Sequence, residues 1–390
     1  MRMIKSLLKN FTLGNLTIYL DDGQKIEHFT NNRTNDGTLI EAEMFVHKER
    51  CFRRFLTGGS LGICEAYIDG DFDTPNLTAL YTLCLVNEHA IEDVILGNKW
   101  SKLISKIIHA LRPNTRKGSK KNISAHYDLG NDFYSLWLDK SMTYSSALFT
   151  NENMGLEDAQ YEKYEALCRE INLKKGEHVL EIGCGWGGFA EYAALRYDAK
   201  VTALTISNEQ YEFAKNRIKK AGLEHLVEIR FQDYRDVTET FDKIVSIEMF
   251  EAVGESYWTT YFEAVKKYLK PQGKASLQII TIDEKHFDEY RKKGDYIQKY
   301  IFPGGMLPTK EKLTEIVKQS DLKEVSIRSF GHDYAQTLMN WNDRFQQNWI
   351  KALMLGFDNK FKRTWEQYFA YCAAGFLSER IDVVHLTLEN

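Results

Sequence analysis

The spacing of apolar residues changes near residue 160, and this change separates two regions with different predicted folds. Before residue 110, short alternating runs such as 16–20 (LTIYL) are mixed with stretches whose apolar residues recur every three or four positions. The segment 52–73 predicts two helices that are separated at Gly58 and Gly59, because paired glycines weaken a helix interior. We therefore predict a small α-rich domain over residues 1–110.

After residue 160, short apolar runs alternate with segments of helical periodicity. The predicted strands are 178–183, 200–206, 226–233, 241–248 and 274–281, and the predicted helices among them are 187–197, 208–222 and 260–273. We expect Pro271 to stop the last of these helices. Strands that alternate with helices predict an α/β fold, with a mostly parallel, doubly wound sheet covered on both faces.

Residues 111–122 (LRPNTRKGSKKN) carry five basic residues and no acid. The segment is typical of a solvated linker, and it leaves residues 123–390 as the second domain. An alternative is contact with anionic lipids, to which each basic residue near the surface contributes about 1 kcal/mol. These two interpretations are compatible.

Composition narrows the class of protein. The chain of 390 residues is 43% hydrophobic and 27% charged, as in globular proteins, and its net charge of −4 gives no field that would attract nucleic acid. Its six cysteines include no CxxC pair, and no signal peptide precedes them, so we expect a cytoplasmic protein without disulfides or a metal site. No apolar run approaches 18 residues, so any contact with a membrane would be peripheral.

A glycine-rich loop follows the first strand of the second domain and opens a helix. It reads Glu181-Ile-Gly-Cys-Gly-Trp-Gly-Gly, and by itself it is a weak signal that a tight turn without a ligand would also explain. A dinucleotide site would place an acid about 20 residues further on, where this chain has Thr205-Ile206-Ser207. With Asp233 after the third strand, the pattern resembles S-adenosylmethionine-dependent methyltransferases that have a seven-stranded sheet.

Longer motifs narrow this resemblance to one family. They are SAHYDLGNDFYSLWLDKSMTYSSALF (124–149), LEIGCGWGGFA, ALTISNEQ, FQDYRD, SIEMFEAVGESYW, YIFPGGMLP, FGHDYAQTLMNW and YCAAGF. In this order and at this spacing they resemble the cyclopropane-fatty-acyl-phospholipid synthases, and the likeness covers nearly the whole chain. The resemblance implies that a methylene unit passes from S-adenosylmethionine to the double bond of an unsaturated phospholipid acyl chain, with S-adenosylhomocysteine released. It also implies a peripheral enzyme on the inner face of the membrane, and relatives suggest a homodimer.

The resemblance also implies roles for individual residues. The residues expected to bind the cofactor are Tyr144, Ser145, Gly183, Gly185, Thr205, Gln210, Asp233 and Tyr234. The family holds a bicarbonate ion with a Cys, a Glu, a His, an Ile backbone and a Tyr, and the residues at these positions are Ser146, Glu251, Gln278, Ile280 and Tyr334. Ser and Gln therefore depart from the pattern of the family at two of the five positions. We rank Glu251 above Glu248 as the residue that positions the base.

The expected chemistry leaves the product open. Methyl transfer to an alkene leaves a carbocation, which a dry pocket protects from water and a base then deprotonates. Proton loss with ring closure gives a cyclopropane. Because Ser146 and Gln278 depart from the pattern of the family, a methylene or methyl branch remains as the alternative. A small-molecule methyltransferase and a silent lipid-binding protein are further alternatives.

An aromatic-rich segment, 330–376, is expected to be a helical insertion. Its Trp341, Phe345 and Trp349 recur every four residues, which predicts one face of a single helix. Such a stripe is more typical of a core, but the resemblance suggests that it lines an acyl tunnel.

Overall fold

The structure is a computed structural model, and it describes residues 2–95, 129–292 and 295–390. The strands in these ranges are β1 (Asn15–Tyr19), β2 (Lys25–Phe29), β3 (Glu41–Val46), β4 (Phe72–Asp73), β5 (His178–Ile182), β6 (Lys200–Thr205), β7 (Val227–Phe231), β8 (Phe241–Ile247), β9 (Leu269–Ile282), β10 (Lys323–Ser329) and β11 (Ile381–Glu389). The α-helices are α1 (Arg2–Leu8), α2 (Arg50–Ile68), α3 (Leu77–Val86), α4 (Glu88–Ile95), α5 (Asn131–Ser135), α6 (Leu156–Glu170), α7 (Gly188–Tyr197), α8 (Asn208–Lys220), α9 (Trp258–Tyr268), α10 (Glu284–Lys292), α11 (Lys310–Gln319), α12 (Gly331–Gln347), α13 (Trp349–Met354) and α14 (Asn359–Leu377). None of the described helices is both long enough and apolar enough to cross a membrane.

The chain forms two compact units. The first takes in the described residues of Met1–Leu111 together with Lys292–Ile301 and Trp349–Arg380, and the second takes in the rest of the described chain. This division differs from the predicted one, which placed everything after residue 122 in the second domain. The predicted linker at 111–122 lies outside the described residues.

The first unit is built around a small mixed sheet with the strand order β2-β1-β3-β4. Helix α2 is interrupted at Gly59, where φ is 59° and ψ is −141°, as the paired glycines predicted. Helix α14 packs against α2 and α3, and its Ala370 and Ala374 lie beside Tyr81 in a shared apolar cluster. Because α14 buries this small-residue face on α3, the segment 349–380 belongs to the first unit.

The second unit is a seven-stranded sheet with the order β10-β11-β9-β8-β5-β6-β7. The pairs among β5 to β9 are parallel, whereas β11 pairs antiparallel with both β9 and β10. Alternate residues of β5 enter different cores, since Leu180 and Ile182 pack in one apolar cluster and Val179 packs in the other. The sheet is thus covered on both faces, which confirms the predicted doubly wound α/β fold.

Pro271 does not stop a helix, contrary to the prediction. Helix α9 ends at Tyr268, and β9 begins at Leu269 with Pro271 already inside it. The pairing of β8 with β9 shifts register between Phe241 and Lys243, whose partners are Leu269 and Lys274. Proline is tolerated there because a bulge removes the need for its missing N–H group.

The aromatic-rich segment 330–376 is not a single insertion. Trp341 and Phe345 lie on α12 in the second unit, and both are fully buried. Trp349 begins α13, which belongs to the first unit. The predicted stripe of three aromatic residues on one helix is therefore wrong, because α12 ends at Gln347 and Asn348 caps it.

Candidate active site

The glycine-rich loop leaves the carboxyl end of β5 and turns into α7. Gly183 and Gly185 have φ values of 85° and 51°, a region that residues with a side chain rarely adopt. A Cβ atom on Gly183 would lie 2.8 Å from Met249 Cγ, whereas a Cβ atom on Gly185 would enter open space. The loop therefore packs tightly against residue 249 on one side and leaves room for a ligand at Gly185.

Polar residues follow the carboxyl ends of β6 and β7, the next two strands of the sheet. Thr205 Oγ1 donates a hydrogen bond to Gln210 Oε1 at 2.9 Å, and both side chains are buried. Asp233 accepts hydrogen bonds from Arg235 Nε at 2.8 Å and from Arg235 Nη2 at 2.6 Å. The ring of Tyr234 packs edge-on against Tyr261. These predicted cofactor residues lie along one edge of the sheet, where open α/β sheets bind ligands.

A cluster of aromatic rings surrounds Tyr144. Its ring centroid lies 5.4 Å from that of Trp341, 5.2 Å from that of Trp137 and 5.6 Å from that of Tyr134. Tyr134 in turn lies 5.1 Å from Trp186 of the glycine-rich loop. The ring faces of such a cluster can stabilise a nearby cation.

The carboxylate of Glu248 is the centre of the predicted anion site. Its Oε1 accepts hydrogen bonds from the Ser146 backbone N–H at 2.8 Å and from Gln278 Nε2 at 2.7 Å. Its Oε2 accepts a hydrogen bond from the Tyr334 hydroxyl at 2.6 Å. Burial raises the pKa of Glu248, while these donors and the charge of Lys163 oppose the rise.

Ser146 contributes through its backbone and not through its side chain. Its hydroxyl donates to the carbonyl oxygen of Ala147 at 2.9 Å. The following residues are fixed to α12, since Ala147 N–H donates to Thr337 Oγ1 and Phe149 N–H donates to Asp333 Oδ2, both at 3.0 Å. Since α12 also carries Tyr334, two of the donors to Glu248 are held by the same elements.

Glu251 and Ile280 form a separate pair. The Ile280 N–H donates to Glu251 Oε1 at 2.5 Å, and the other carboxyl oxygen is buried without a partner among the described residues. Burial, and then the charge of Glu248, raise the pKa of Glu251 to about 8. The structure therefore brings Ser146, Gln278 and Tyr334 together around Glu248, whereas it pairs Ile280 with Glu251.

A buried lysine joins the cofactor side of the site to Glu248. Lys163 on α6 is fully buried, and its Nζ donates to Ser145 Oγ and to Gln160 Oε1, both at 2.7 Å. Burial lowers its pKa to about 7, while the charge of Glu248 acts in the opposite direction. Ser145, a predicted cofactor residue, thus connects the Lys163 side chain to Ser146, whose N–H donates to Glu248.

On the far side of Gln278, a histidine and a second carboxylate extend the network. His385 pairs directly with Gln278 across β9 and β11, and its Nε2 lies 3.0 Å from Gln278 Oε1. His385 Nδ1 lies 2.9 Å from Glu170 Oε1. Which of the two ring nitrogens donates depends on the tautomer of His385. Burial lowers the pKa of His385, and Glu170 opposes that change.

Sequence reasoning missed three of these residues. Glu248 was ranked below Glu251, and Lys163 and His385 were not considered. Lys163 occupies a position in the buried stripe of α6, four residues from Ala159, and His385 occupies a buried position in the alternating strand β11. A charged residue at a core position is a signal that the sequence carried.

The residues of the site fit S-adenosylmethionine. The space at Gly185 suits a ligand that approaches the backbone, and the aromatic cluster suits a sulfonium group. Glu181, just before the loop, is buried, and its Oε2 has no partner among the described residues. The seven-stranded sheet and this site define a class I S-adenosylmethionine-dependent methyltransferase.

Comparisons with known proteins give the family. A family model described as mycolic acid cyclopropane synthetase matches residues 114–386. The chain is 37% identical over 380 residues to tuberculostearic acid methyltransferase UfaA1 of Mycobacterium tuberculosis, covering 91% of this chain and 86% of that protein. It is 36% identical over 342 residues to cyclopropane-fatty-acyl-phospholipid synthase of Escherichia coli K12, covering 88% of this chain and 86% of that protein.

A solved structure agrees with these relatives. Mycolic acid cyclopropane synthase CmaA1, complexed with SAH and CTAB, matches with a TM-score of 0.64 at 29% identity, covering 70% of this chain and 98% of that chain. The protein therefore belongs to the mycolic acid cyclopropane synthetase family and is a methyltransferase of the cyclopropane synthase type. It uses S-adenosylmethionine to modify fatty acyl chains of lipids. The predicted family, fold and enzyme class are confirmed, and the roles of single residues stay predictions.

Proposed function

We propose that the protein transfers a methylene unit from S-adenosylmethionine to the double bond of an unsaturated phospholipid acyl chain and forms a cyclopropane ring. The observation that carries the proposal is a half-buried carboxylate, Glu248, held by three donors beside the glycine-rich loop and an aromatic cluster. The glycine-rich loop provides a site for the methyl donor, the aromatic cluster excludes water, and the carboxylate can accept a proton. The reaction needs all three.

The position of each residue along the sheet edge suggests which part of the reactants it contacts. When bound, S-adenosylmethionine supplies an electrophilic methyl group. Gly183, Gly185, Thr205 and Gln210 would hold it along the sheet edge, with Tyr144 and Ser145 near its methionyl end and Asp233 and Tyr234 near its adenine. Tyr144 and its neighbours face the cation that methyl addition leaves on the acyl chain. Exclusion of water by these rings prevents its capture as an alcohol.

The base belongs to the site formed by Ser146, Gln278 and Tyr334, with Ile280 and Glu251 beside it. If the base takes a proton from the new methyl group while the ring closes, the product is a cyclopropane. Methylene or methyl branching is the second candidate, because a relative named tuberculostearic acid methyltransferase is as similar as the one named for cyclopropane synthesis. The same site would serve both outcomes, since the base takes a proton from the new methyl group in each, and a methylene branch needs only a preceding 1,2-hydride shift that moves the cation to the methyl-bearing carbon.

A peripheral position on the cytoplasmic face of the membrane is part of the proposal. In the first unit, Ile350 and Met354 on α13 are 71% and 83% exposed, and Leu353 and Leu355 beside them are each 46% exposed. Four exposed apolar side chains within six residues are typical of an interaction surface. Lys351 lies among them, and a basic residue favours anionic lipid headgroups. The predicted homodimer also stays a prediction.

The membrane surface can be tested by vesicle flotation. Ile350→Ser with Met354→Ser should reduce binding to vesicles that contain phosphatidylglycerol, because each serine removes apolar area from the lipid contact. Leu195→Ser is the matched control, since Leu195 is 60% exposed on α7 outside this patch. Equal flotation of both variants would exclude α13 from lipid binding. Neutralising Lys117, Lys120 and Lys121, which lie outside the described residues, tests the predicted basic contact separately.

The activity is tested with methyl-labelled S-adenosylmethionine and vesicles of an oleoyl phospholipid. We expect label in the acyl chain, and NMR of the released fatty acid should show ring protons and no vinylic methylene. Vesicles with the same headgroup and saturated chains are the control and should stay unlabelled. Label on a soluble acceptor alone, or nowhere, would contradict the proposal, and vinylic or methyl-branch signals would select the second candidate.

A further inference from the structure

We propose that the carboxylate of Glu248 is itself the base of the reaction and takes the place that bicarbonate has in the family. The inference is based on the proposed function, which it deepens by naming the group that accepts the proton. It makes Glu248 a catalytic residue and gives Ser146, Gln278 and Tyr334 the role of holding it.

The hydrogen-bond donors of the predicted anion site already have an acceptor within the protein, the carboxylate of Glu248. Ser146, Gln278 and Tyr334 are three of the five residues that the resemblance assigns to bicarbonate, and all three donate to the two oxygens of Glu248 at 2.6–2.8 Å. A side-chain carboxylate presents the same planar pair of oxygens as bicarbonate. A second anion at these donors would have to displace the Glu248 carboxylate from all three hydrogen bonds, and the loss of hydrogen bonds to a charged group is unfavourable. Bicarbonate therefore does not fit this site while Glu248 occupies it.

The backbone places this carboxylate at the reaction centre. Glu248 has a φ of 49°, in the left-handed region that favours glycine. This conformation ends the strand β8, and the next residue, Met249, packs against Gly183 of the cofactor loop. Uncommon backbone conformations of this kind concentrate at functional sites. The turn thus brings the carboxylate next to the place of the methyl donor.

Glu251 is less suited to accept the proton. It has one hydrogen-bond donor, the Ile280 N–H, whereas Glu248 has three. With a pKa of about 8, Glu251 holds a proton at neutral pH and cannot take another. A neutral Glu251 also adds no negative charge beside Glu248, so it does not raise the pKa of Glu248 further.

The proton-transfer step balances without a further reactant. A C–H bond of the new methyl group breaks, and its electron pair forms the ring bond to the cationic carbon. If a 1,2-hydride shift first moves the cation to the methyl-bearing carbon, the same electron pair forms the double bond of a methylene branch. The proton passes to an oxygen of Glu248, which becomes a neutral carboxylic acid. The acid returns its proton to solvent after the product leaves, so that the cycle consumes no bicarbonate.

The first test compares activity with and without bicarbonate, in buffer freed of carbon dioxide. We expect wild-type turnover to be unchanged by bicarbonate. Glu248→Gly should lose about 10²–10⁴-fold, the usual contribution of a positioned base, and added bicarbonate should restore part of it by filling the vacated site. Glycine suits the backbone at this position, and retained S-adenosylhomocysteine binding would verify that the variant is folded.

Glu248→Gln is the matched variant for the activity test. Its amide fills the same space, so bicarbonate should not restore its activity. Wild-type turnover that falls when bicarbonate is removed would overturn the inference. Near-normal activity of Glu248→Gly without bicarbonate would also overturn it.

A second test does not depend on turnover. NMR of ¹³C-labelled bicarbonate, with S-adenosylhomocysteine present, should show saturable binding to Glu248→Gly and no binding to the wild type. Saturable binding to the wild type would overturn the inference even if no acyl chain is ever labelled. If acyl labelling fails but this binding pattern is found, the proposed substrate is wrong and the assignment of the anion site stands.

Discussion

The Tyr334→Phe variant tests how far the Tyr334 hydroxyl opposes the burial that raises the pKa of Glu248. The Tyr334 hydroxyl donates to Glu248 Oε2 at 2.6 Å, and the Tyr334 ring packs edge-on against Trp341 with centroids 6.1 Å apart. Phenylalanine keeps this ring contact and removes only the hydroxyl. Any change in activity then reports on the hydrogen bond and not on packing.

The size of the effect follows from the strength of that hydrogen bond. Hydrogen bonds to charged groups contribute about 1.5–3 kcal/mol, and one pKa unit corresponds to about 1.36 kcal/mol. The pKa of Glu248 should therefore rise by about 1–2 units in Tyr334→Phe. The base is active when ionised, so the acidic limb of the pH–rate profile should move to higher pH by this amount. Lys163 and Glu251 also face Glu248 and are unchanged in the variant.

The assay is turnover of labelled S-adenosylmethionine on oleoyl phospholipid vesicles, measured between pH 5 and pH 9. Tyr192→Phe is the control, because the Tyr192 hydroxyl also donates to a carboxylate, that of Glu165, at 2.7 Å but away from the site. Its acidic limb should match that of the wild type. If Tyr334→Phe also keeps the wild-type limb, Glu248 is not the titrating base.

Two further substitutions test the cofactor loop and the buried acid. Gly185→Ala should abolish S-adenosylmethionine binding, measured by calorimetry, since its Cβ atom enters the space at the loop. Gly176→Ala is the control: Gly176 has a φ of 79° and open space around it, so alanine there should have a similar backbone cost of about 1–2 kcal/mol and leave binding normal. Equal binding by the two variants would exclude a ligand at Gly185. Glu251→Gln should raise thermal stability more at pH 8 than at pH 5. The folded pKa of Glu251 is about 8, so the wild type loses about 1.36 kcal/mol of stability for each pH unit between about 4.5 and 8, and glutamine does not titrate. Equal shifts in melting temperature at both pH values would mean that Glu251 is not buried as a neutral acid.

The sheet could be predicted from the sequence because its signals are local. Each strand from β5 to β8 is a short apolar run beside a helix of regular periodicity, and the observed bounds differ from the predicted ones by one or two residues. Pro271 was misjudged since its bulge depends on pairing with a distant strand, β8. The separation of Trp349 from Trp341 was also not local, because it depends on where α12 ends and on which core each helix joins.

Three of the residues assigned to the anion site come together in the structure. The resemblance implied that Ser146, Gln278 and Tyr334 hold an anion, and these residues converge on Glu248. Sequence order could not reveal this, because β8, β9, α12 and the segment before α6 meet only in the folded chain. The local signal that was available, an acid at the end of a buried strand, is common and carried little weight by itself.

The two departures from the pattern of the family have a common explanation if Glu248 is the base. A cysteine or a serine at position 146 makes little difference, because the donor to Glu248 is the backbone N–H. A neutral glutamine at position 278 donates to Glu248 but cannot take its proton, so the carboxylate remains the acceptor. His385 Nε2 on the neighbouring strand lies 3.0 Å from Gln278 Oε1, and the amide nitrogen of Gln278 donates to Glu248 on the other side. Glu170 Oε1 lies 2.9 Å from the other ring nitrogen of His385 and holds the imidazole in place, so both departures are compatible with a carboxylate that belongs to the chain.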